Sequence, residues 1–368
     1  MVAAITASEN GAAVELYEAH DRLGGRAHTL GGEWRANWGP RALYCDGPLW
    51  NWLAERDLIP PVARPALTGL RFRFDGDALR TPPLSMVRAL AMLRVRAVPD
   101  DLSFREWAEA RFGADAAARW SSAAGVFSFC NDPGALAASF VTGRLRRAYA
   151  VPSAARFPVG GWSSLVDRLE QRMRVLGVRV HTNCAVEQLP PSPVIVALGP
   201  PVARRLLGDE TIRWPGARTA LLDVGMTSKR GDASIVSDLD ESGFVERFSC
   251  RDSTLAPAGH SLVQAQIGLR PGETLDAAVA RIEALIDVGF RGWREREVWR
   301  RRAVVECQSG ALDPPGSTWA DRPAIDRGDG VWLSGDFVAA PGLLAEVSWA
   351  SAVTAGTAAA LCVAARAT

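Results

Sequence analysis

Two groups of residues near the start of the chain have the types and spacing to hold a dinucleotide. Glu18 closes the alternating run Val14-Glu15-Leu16-Tyr17. An acidic residue at the tip of such a strand accepts hydrogen bonds from ribose hydroxyls, and its charge repels a 2′-phosphate. The turn that follows is Asp21-Arg22-Leu23-Gly24-Gly25-Arg26. Its two glycines let backbone N–H groups approach an anion, and Arg22 and Arg26 carry guanidinium groups suited to a pyrophosphate. This chemistry favours FAD or NAD over NADP. By itself the turn also reads as a surface loop with solvated arginines.

Helices and strands must position these groups, and the sequence supplies candidates for them. Met1 to Asn10 is small and helix-compatible, with Gly11 where a helix-ending glycine belongs. Leu165, Val166, Leu169 and Met173 fall on one helical face, Gly177 ends that helix, and Val178-Arg179-Val180 begins a strand. Val186 is expected on the next short strand. VIVALG, residues 194–199, is a nearly continuous apolar run closed by glycine and two prolines, the pattern of a buried parallel strand. Val331-Trp332-Leu333 leads into Gly335-Asp336, and Gly342-Leu343-Leu344 opens a long alanine-rich helix. The positive end of that helix and its free N–H groups could stabilise negative charge.

The run from Glu18 to Arg26 has the form E-A-x-x-R-x-G-G-R and resembles the signature of the flavin-containing amine oxidase, phytoene desaturase and protoporphyrinogen oxidase superfamily. FPVGGWSSLVDRLEQRMRVLGVRVHTNCAVEQL, in mid-chain, resembles the family's P-x-G-G segment with its following strand pair. GVWLSGDFVAAPGLLAEVSWASAVTAG, near the end, resembles its closing flavin motif. The resemblance implies an FAD-binding protein. It places Glu18, Arg22, Gly24, Gly25 and Arg26 at the dinucleotide, and the backbone of Val186 at the adenine. It sets Gly335 and Asp336 at the ribityl or pyrophosphate-adjacent hydroxyls, and Gly39, Pro40, Leu343 and Leu344 near the flavin ring.

The same resemblance implies an α/β fold, a Rossmann-like FAD-binding domain with an inserted α+β substrate domain. Residues 1–45, 156–214 and 311–368 are assigned to the first, and 46–155 and 215–310 to the second. Counting back from Glu18 through Gly11, the last glycine of the family's GxGxxG falls just before Met1. The first strand and the phosphate-binding loop are therefore expected to be missing, through a start codon placed downstream or a lost 5′ end. Unpaired buried backbone groups beside such a gap cost about 1–3 kcal/mol each, so weak retention of FAD is expected until the strand is restored.

Composition excludes several classes. A net charge of +1 offers no basic field for a nucleic acid. The six cysteines are scattered without metal-ligand spacing, so they read as reduced thiols in a cytoplasmic protein with no metal. No apolar run approaches the roughly 20 residues of a spanning helix. SMVRALAMLRVRAV, residues 85–98, fits either an amphipathic helix in peripheral contact with a membrane or, the plainer reading, a helix covering a pocket. Thr274 should cap a helix with Leu275, Val279, Ile282, Leu285 and Ile286 inside, and TALLDVG reads as a strand.

The reaction is less visible. Amine oxidases of the family place aromatic side chains where this chain has Leu343 and Leu344, which argues against an ordinary amine substrate. Lys229, the only lysine, sits in a polar turn, and His20, His28, His181 and His260 form no catalytic grouping. The expectation is an FAD-dependent oxidoreductase, phytoene desaturase-like, acting on a small, largely apolar molecule. The alternatives are a flavin amine oxidase, or a degenerate relative without flavin that acts as a binding protein.

Overall fold

The computed structural model describes residues 1–39, 41–66, 68–306 and 310–367. The first helix is α1 (Val2–Glu9), and Gly11 follows it with φ of 87°. The chain then enters β1 (Glu15–Tyr17), which pairs in parallel with β7 (Arg179–His181), Leu16 opposite Val180. Feeding β7 is α8 (Ser163–Val175), whose Leu165, Val166, Leu169 and Met173 are buried, as their spacing predicts. A second parallel ribbon joins β8 (Val194–Val196) to β14 (Val331–Leu333). Among the described residues, no strand hydrogen-bonds one ribbon to the other. They share a layer of helices instead: α1 packs on α8 and on α11 (Ala345–Ala367), and α11 packs on β8 and β14. Ala203 of α9 (Pro200–Leu207) joins the core formed by Val196 and Leu333.

The expectation that no apolar run could span a membrane does not hold. Ala345–Arg366, 22 residues long with an 18-residue stretch of mean hydropathy 1.5, is long and apolar enough by length and composition. Residues 358–365 are wholly apolar, but Ser, Thr and Gly interrupt the alanines before them, so no unbroken apolar run reaches spanning length. One side of α11 packs against α1, α2 (Pro48–Ala54) and the second ribbon.

A larger sheet faces these ribbons. Its order is β13 (Glu297–Glu306), β9 (Arg218–Thr227), β12 (His260–Gly268), β11 (Phe244–Glu246), β10 (Ile235–Asp238), β4 (Leu70–Phe74) and β5 (Asp77–Leu79). All neighbours are antiparallel except β4 and β10. Side chains alternate between the faces, so Leu222, Val224, Val236, Val245 and Ala265 meet Ile282, Leu285 and Ile286 of α10 (Leu275–Gly289) in a buried core. Thr274 caps α10 as expected, its hydroxyl accepting the Ala277 N–H at 3.3 Å. Thr274→Ala is expected to lower unfolding free energy by about 1 kcal/mol in urea melts.

A three-stranded antiparallel sheet of β2 (Leu43–Tyr44), β6 (Ala155–Pro158) and β3 (Val62–Ala63) lies in the connections. The remaining helices, α3 (Leu84–Arg88), α4 (Phe104–Phe112), α5 (Ala114–Ala123), α6 (Gly125–Ser128) and α7 (Ala138–Ala148), enclose Phe104, Trp107, Trp120 and Leu145. The segment expected to cover a pocket is α3 with the 3₁₀ turn Ala89–Arg94, and it covers this helical core instead. Met86, Ala89 and Met92 are buried there, while Leu84, Val87 and Leu90 face outward.

Candidate active site

Both ribbons and the large sheet wall a single cavity of about 2560 Å³. Small-ligand pockets usually measure about 300–1,000 Å³, so this one has room for a dinucleotide and a second molecule. Its wall includes Glu18, Arg22, Gly24, Gly25, Arg26, Val186, Gly335, Asp336 and Leu344.

At one end, the Glu18 N–H donates to His181 O at 2.9 Å and so extends the β1–β7 ladder by one residue. The Glu18 carboxylate accepts from the His20 N–H at 3.0 Å, and its Oε1 lies 2.8 Å from His20 Nδ1. Half-buried Met1 lies on the same wall; desolvation lowers the pKa of its amino group to about 6, against the opposing pull of Glu18. In the turn beyond, Arg22 Nη1 donates to Gly25 O at 3.2 Å. Gly25 has φ of 52° with open space where a Cβ would stand, so the backbone turn itself calls for glycine. A Cβ on Gly24 would lie 2.7 Å from Val166 Cγ2 of α8. Val186 lines the cavity from an irregular segment, not from the strand expected for it, since pairing at β7 ends with His181.

Across the cavity, Arg26 Nη2 lies 2.7 Å from Asp336 Oδ1, so the glycine turn and the closing motif meet directly. Two residues not among the expected site residues position Asp336. Ser351 on α11 accepts the Gly335 N–H through its hydroxyl oxygen at 3.0 Å and donates to Gly335 O at 3.1 Å. Gly310 packs so closely that a Cβ there would fall 2.6 Å from Asp336 Cγ. Half-buried Arg41 lies beside this pair; desolvation of its guanidinium, and secondarily Arg26, lower its pKa to about 9, with Asp336 opposing.

The start of α11 differs from its expected form. The helix begins at Ala345, Leu344 has a left-handed φ of 56°, and the Leu343 N–H donates to Glu346 Oε2 at 3.1 Å. The first of the expected free donors is thus occupied by the helix's own side chain. Glu346 is paired with Arg147 Nη1 at 2.7 Å, and Arg147 reaches Asp46 at 2.6 Å. Leu344 lines the cavity whereas Leu343 does not. Gly39 is buried with φ of 91° and is likewise absent from the wall, and Pro40 lies outside the described residues.

None of the four histidines is placed for catalysis among the described groups. His20 contacts Glu18, His181 stacks on Tyr17 at 4.8 Å and His260 meets the edge of Trp34. Burial, with Arg22 and Arg301, lowers the pKa of His28. Lys229 is exposed in the turn after β9, away from the wall.

The large sheet holds residues that no motif marks. Ile235, Glu246, Gln264, Asp223 and Arg301 lie in one cross-strand row on the sheet face opposite α10. Arg301 Nε donates to Asp223 Oδ2 at 2.6 Å, and Gln264 Nε2 donates to Asp223 Oδ1 at 2.9 Å. The row reaches the other region through Asn37, whose carbonyl accepts from Gln264 at 2.8 Å and from Arg301 at 2.7 Å. Glu246, Tyr44, Tyr149, Ser237, Phe72 and Phe244 open onto the cavity. Strand alternation in Phe244-Val245-Glu246 was the only available signal for Glu246, and it needs the knowledge of which face is covered.

Residues 1–56 match the NAD(P)-binding Rossmann-like domain family. Solved structures resemble nearly the whole chain. An oxidoreductase from Methanosarcina mazei superposes with a TM-score of 0.78 at 16% identity, over 97% of this chain and 96% of that one. Cyclohexylamine oxidase from Brevibacterium oxydans gives 0.76 at 15% identity, over 99% and 96%. A reduced UDP-galactopyranose mutase gives 0.67 at 12% identity, over 96% and 92%. No curated protein has a significant sequence match. At these identities the likeness establishes the fold, a Rossmann-like α/β architecture shared with these proteins.

Proposed function

We propose that this chain is an FAD-dependent oxidoreductase that dehydrogenates a small, largely apolar molecule. The observation behind this reading is that Glu18 and the Gly24–Gly25 turn line one cavity with Asp336, which is distant from both in sequence, with Arg26 bridging turn to Asp336. The residues suit the parts of FAD in order. Glu18 would accept from the adenosine ribose, the turn with Arg22 would face the pyrophosphate, and Asp336 would accept from the ribityl hydroxyls. Bound there, the flavin supplies a hydride acceptor. The protein's part is to hold a substrate carbon in place and exclude water, for which Phe72, Phe127 and Phe244 provide an apolar wall.

Fluorescence titration with FAD, FMN and riboflavin tests this assignment. FAD is expected to bind about 10- to 100-fold more tightly than FMN, because only FAD reaches Glu18 with a charge-assisted hydrogen bond. Equal affinities for all three would remove Glu18 from the site. Failure of all three to bind would overturn the reading and favour a binding protein without flavin.

A further inference from the structure

The segment around α3 has a side that neither the core nor the cavity uses. α3 runs directly into the 3₁₀ turn Ala89–Arg94, and in both kinds of helix residues three apart are neighbours. The side chains therefore stand in three files. Met86, Ala89 and Met92 make the first and are buried in the helical core with Phe104 and Trp107. Leu84, Val87 and Leu90 make the second, and they are 60%, 43% and 45% exposed. Arg88, Ala91 and Arg94 make the third and are exposed as well. A helix that only covers a core has one apolar face, with polar residues opposite. Here a second apolar file stands in solvent, beside a basic one.

Charge in this segment is one-sided. Between Asp77 and Asp100 the chain carries Arg80, Arg88, Arg94 and Arg96 and no carboxylate, in a protein whose net charge is only +1. All four arginines are exposed, and none has an ion pair or a side-chain hydrogen bond among the described residues. By contrast, the exposed Arg174, Arg179, Arg294 and Arg302 each have a carboxylate partner. The segment is also anchored from below. Arg146 Nε on α7 donates to Leu93 O at 3.0 Å, and the same guanidinium donates to Val95 O.

The two outer files ask for different things. A polyanion would meet the arginines and leave the leucines wet, whereas a wholly apolar partner would bury arginines with no carboxylate to meet them. An anionic bilayer satisfies both, since aliphatic side chains enter the boundary between headgroups and acyl chains while guanidinium groups stay at the lipid phosphates. We propose that the outward face of residues 84–96 is a docking surface for an anionic lipid bilayer. Leu84, Val87 and Leu90 enter the acyl boundary, and Arg88, Arg94 and Arg96 hold the phosphates. Far shorter than the roughly 20 residues of a spanning helix, the segment lies on the membrane and does not cross it.

The helical core beneath this face contains Phe127, and Phe72, Tyr149 and Leu344 pack against it; all four line the cavity. Docking face and cavity are thus two sides of one helical layer, an arrangement suited to a substrate drawn from a lipid phase. That link to the substrate rests on the function proposed above. Docking itself needs neither flavin nor substrate.

Flotation of the full chain with vesicles tests the proposal, using phosphatidylcholine alone and an equal mixture of phosphatidylcholine and phosphatidylglycerol. Binding to the mixed vesicles is expected to exceed binding to the neutral ones by at least about 10-fold, and to fall as salt is raised. Arg88→Gln, Arg94→Gln and Arg96→Gln together should weaken it by about 100-fold, roughly fivefold for each charge. Leu84→Ser, Val87→Ser and Leu90→Ser together should weaken it by about 10- to 100-fold even at low salt. All six side chains are outside the core, so both variants should melt with the parent; the single changes Leu84→Ser and Arg94→Gln give smaller falls in the same direction.

No binding to either kind of vesicle, equal binding to both, or unchanged binding in the two variants overturns the proposal. Binding lost instead in Leu361→Ser would move the contact to the exposed end of α11 and overturns it too. So does self-association without lipid that the serine variant abolishes while vesicles go unbound, which would make this face a contact between copies. A protein that docks but binds no FAD keeps this inference and loses the flavin reading.

Discussion

Asp223→Ala is expected to cost about 3–5 kcal/mol of unfolding free energy, the usual range when one member of a buried ion pair is removed. Asp223 is fully buried on β9, and burial raises its pKa despite Arg301 and Gln264. The pair is therefore expensive to assemble, yet deleting the carboxylate would be worse. Arg301 would keep its charge in a site where its side chain is only 15% exposed, and Gln264 Nε2 would lose an acceptor. Arg301 and Gln264 both donate to the Asn37 carbonyl, and the Asn37 side chain accepts from Thr29 Oγ1 at 2.8 Å and from the Trp162 N–H at 3.2 Å. Loss of Asp223 should thus loosen the seam between the sheet and the ribbons. Urea melts check this, with Asp223→Asn expected to lose less because it keeps the shape and the acceptor. A loss below about 1 kcal/mol would mean that Arg301 finds water instead.

Asp336→Ala is expected to weaken FAD binding by about 10- to 100-fold while leaving ADP affinity nearly unchanged. Under the proposed assignment the carboxylate would be the ribityl-side contact, which ADP would not reach. Removing Asp336 also leaves Arg26 and Arg41 without the negative charge between them, which favours a bound phosphate and works against any loss of ADP. Glu18→Ala should weaken both ligands together. Titrations of both variants with both ligands separate the two ends of the site. If ADP and FAD fall alike in Asp336→Ala, the residue supports the turn through Arg26 and does not itself touch the ribityl chain.

Local features were legible wherever neighbouring residues settle them. The α1 helix with its terminal Gly11, the buried face of α8 and the Thr274 cap depend on spacing within one or two helical turns. The two motifs at Glu18–Arg26 and Gly335–Asp336 stood out because their glycines and charges are set at short range, and the structure brings them to one cavity. Val186 and the start of α11 were misjudged for the opposite reason. A strand exists only where a partner is paired, and Glu346, folding back from inside the helix, occupies the Leu343 N–H. The segment at 85–98 carried the right amphipathic pattern but gave no indication of what it covers.

Residue order alone offered a carboxylate at a strand tip and glycines in a turn as candidate dinucleotide contacts, because such features are set within a few bonds of chain. Only the tertiary structure decided that Arg26 meets Asp336, that Ser351 and Gly310 hold that turn, and that Glu246 faces the cavity without a partner. Those facts depend on which surfaces of distant segments come together. Burial and the pairing of charges are properties of that contact, and no single stretch of sequence contains them.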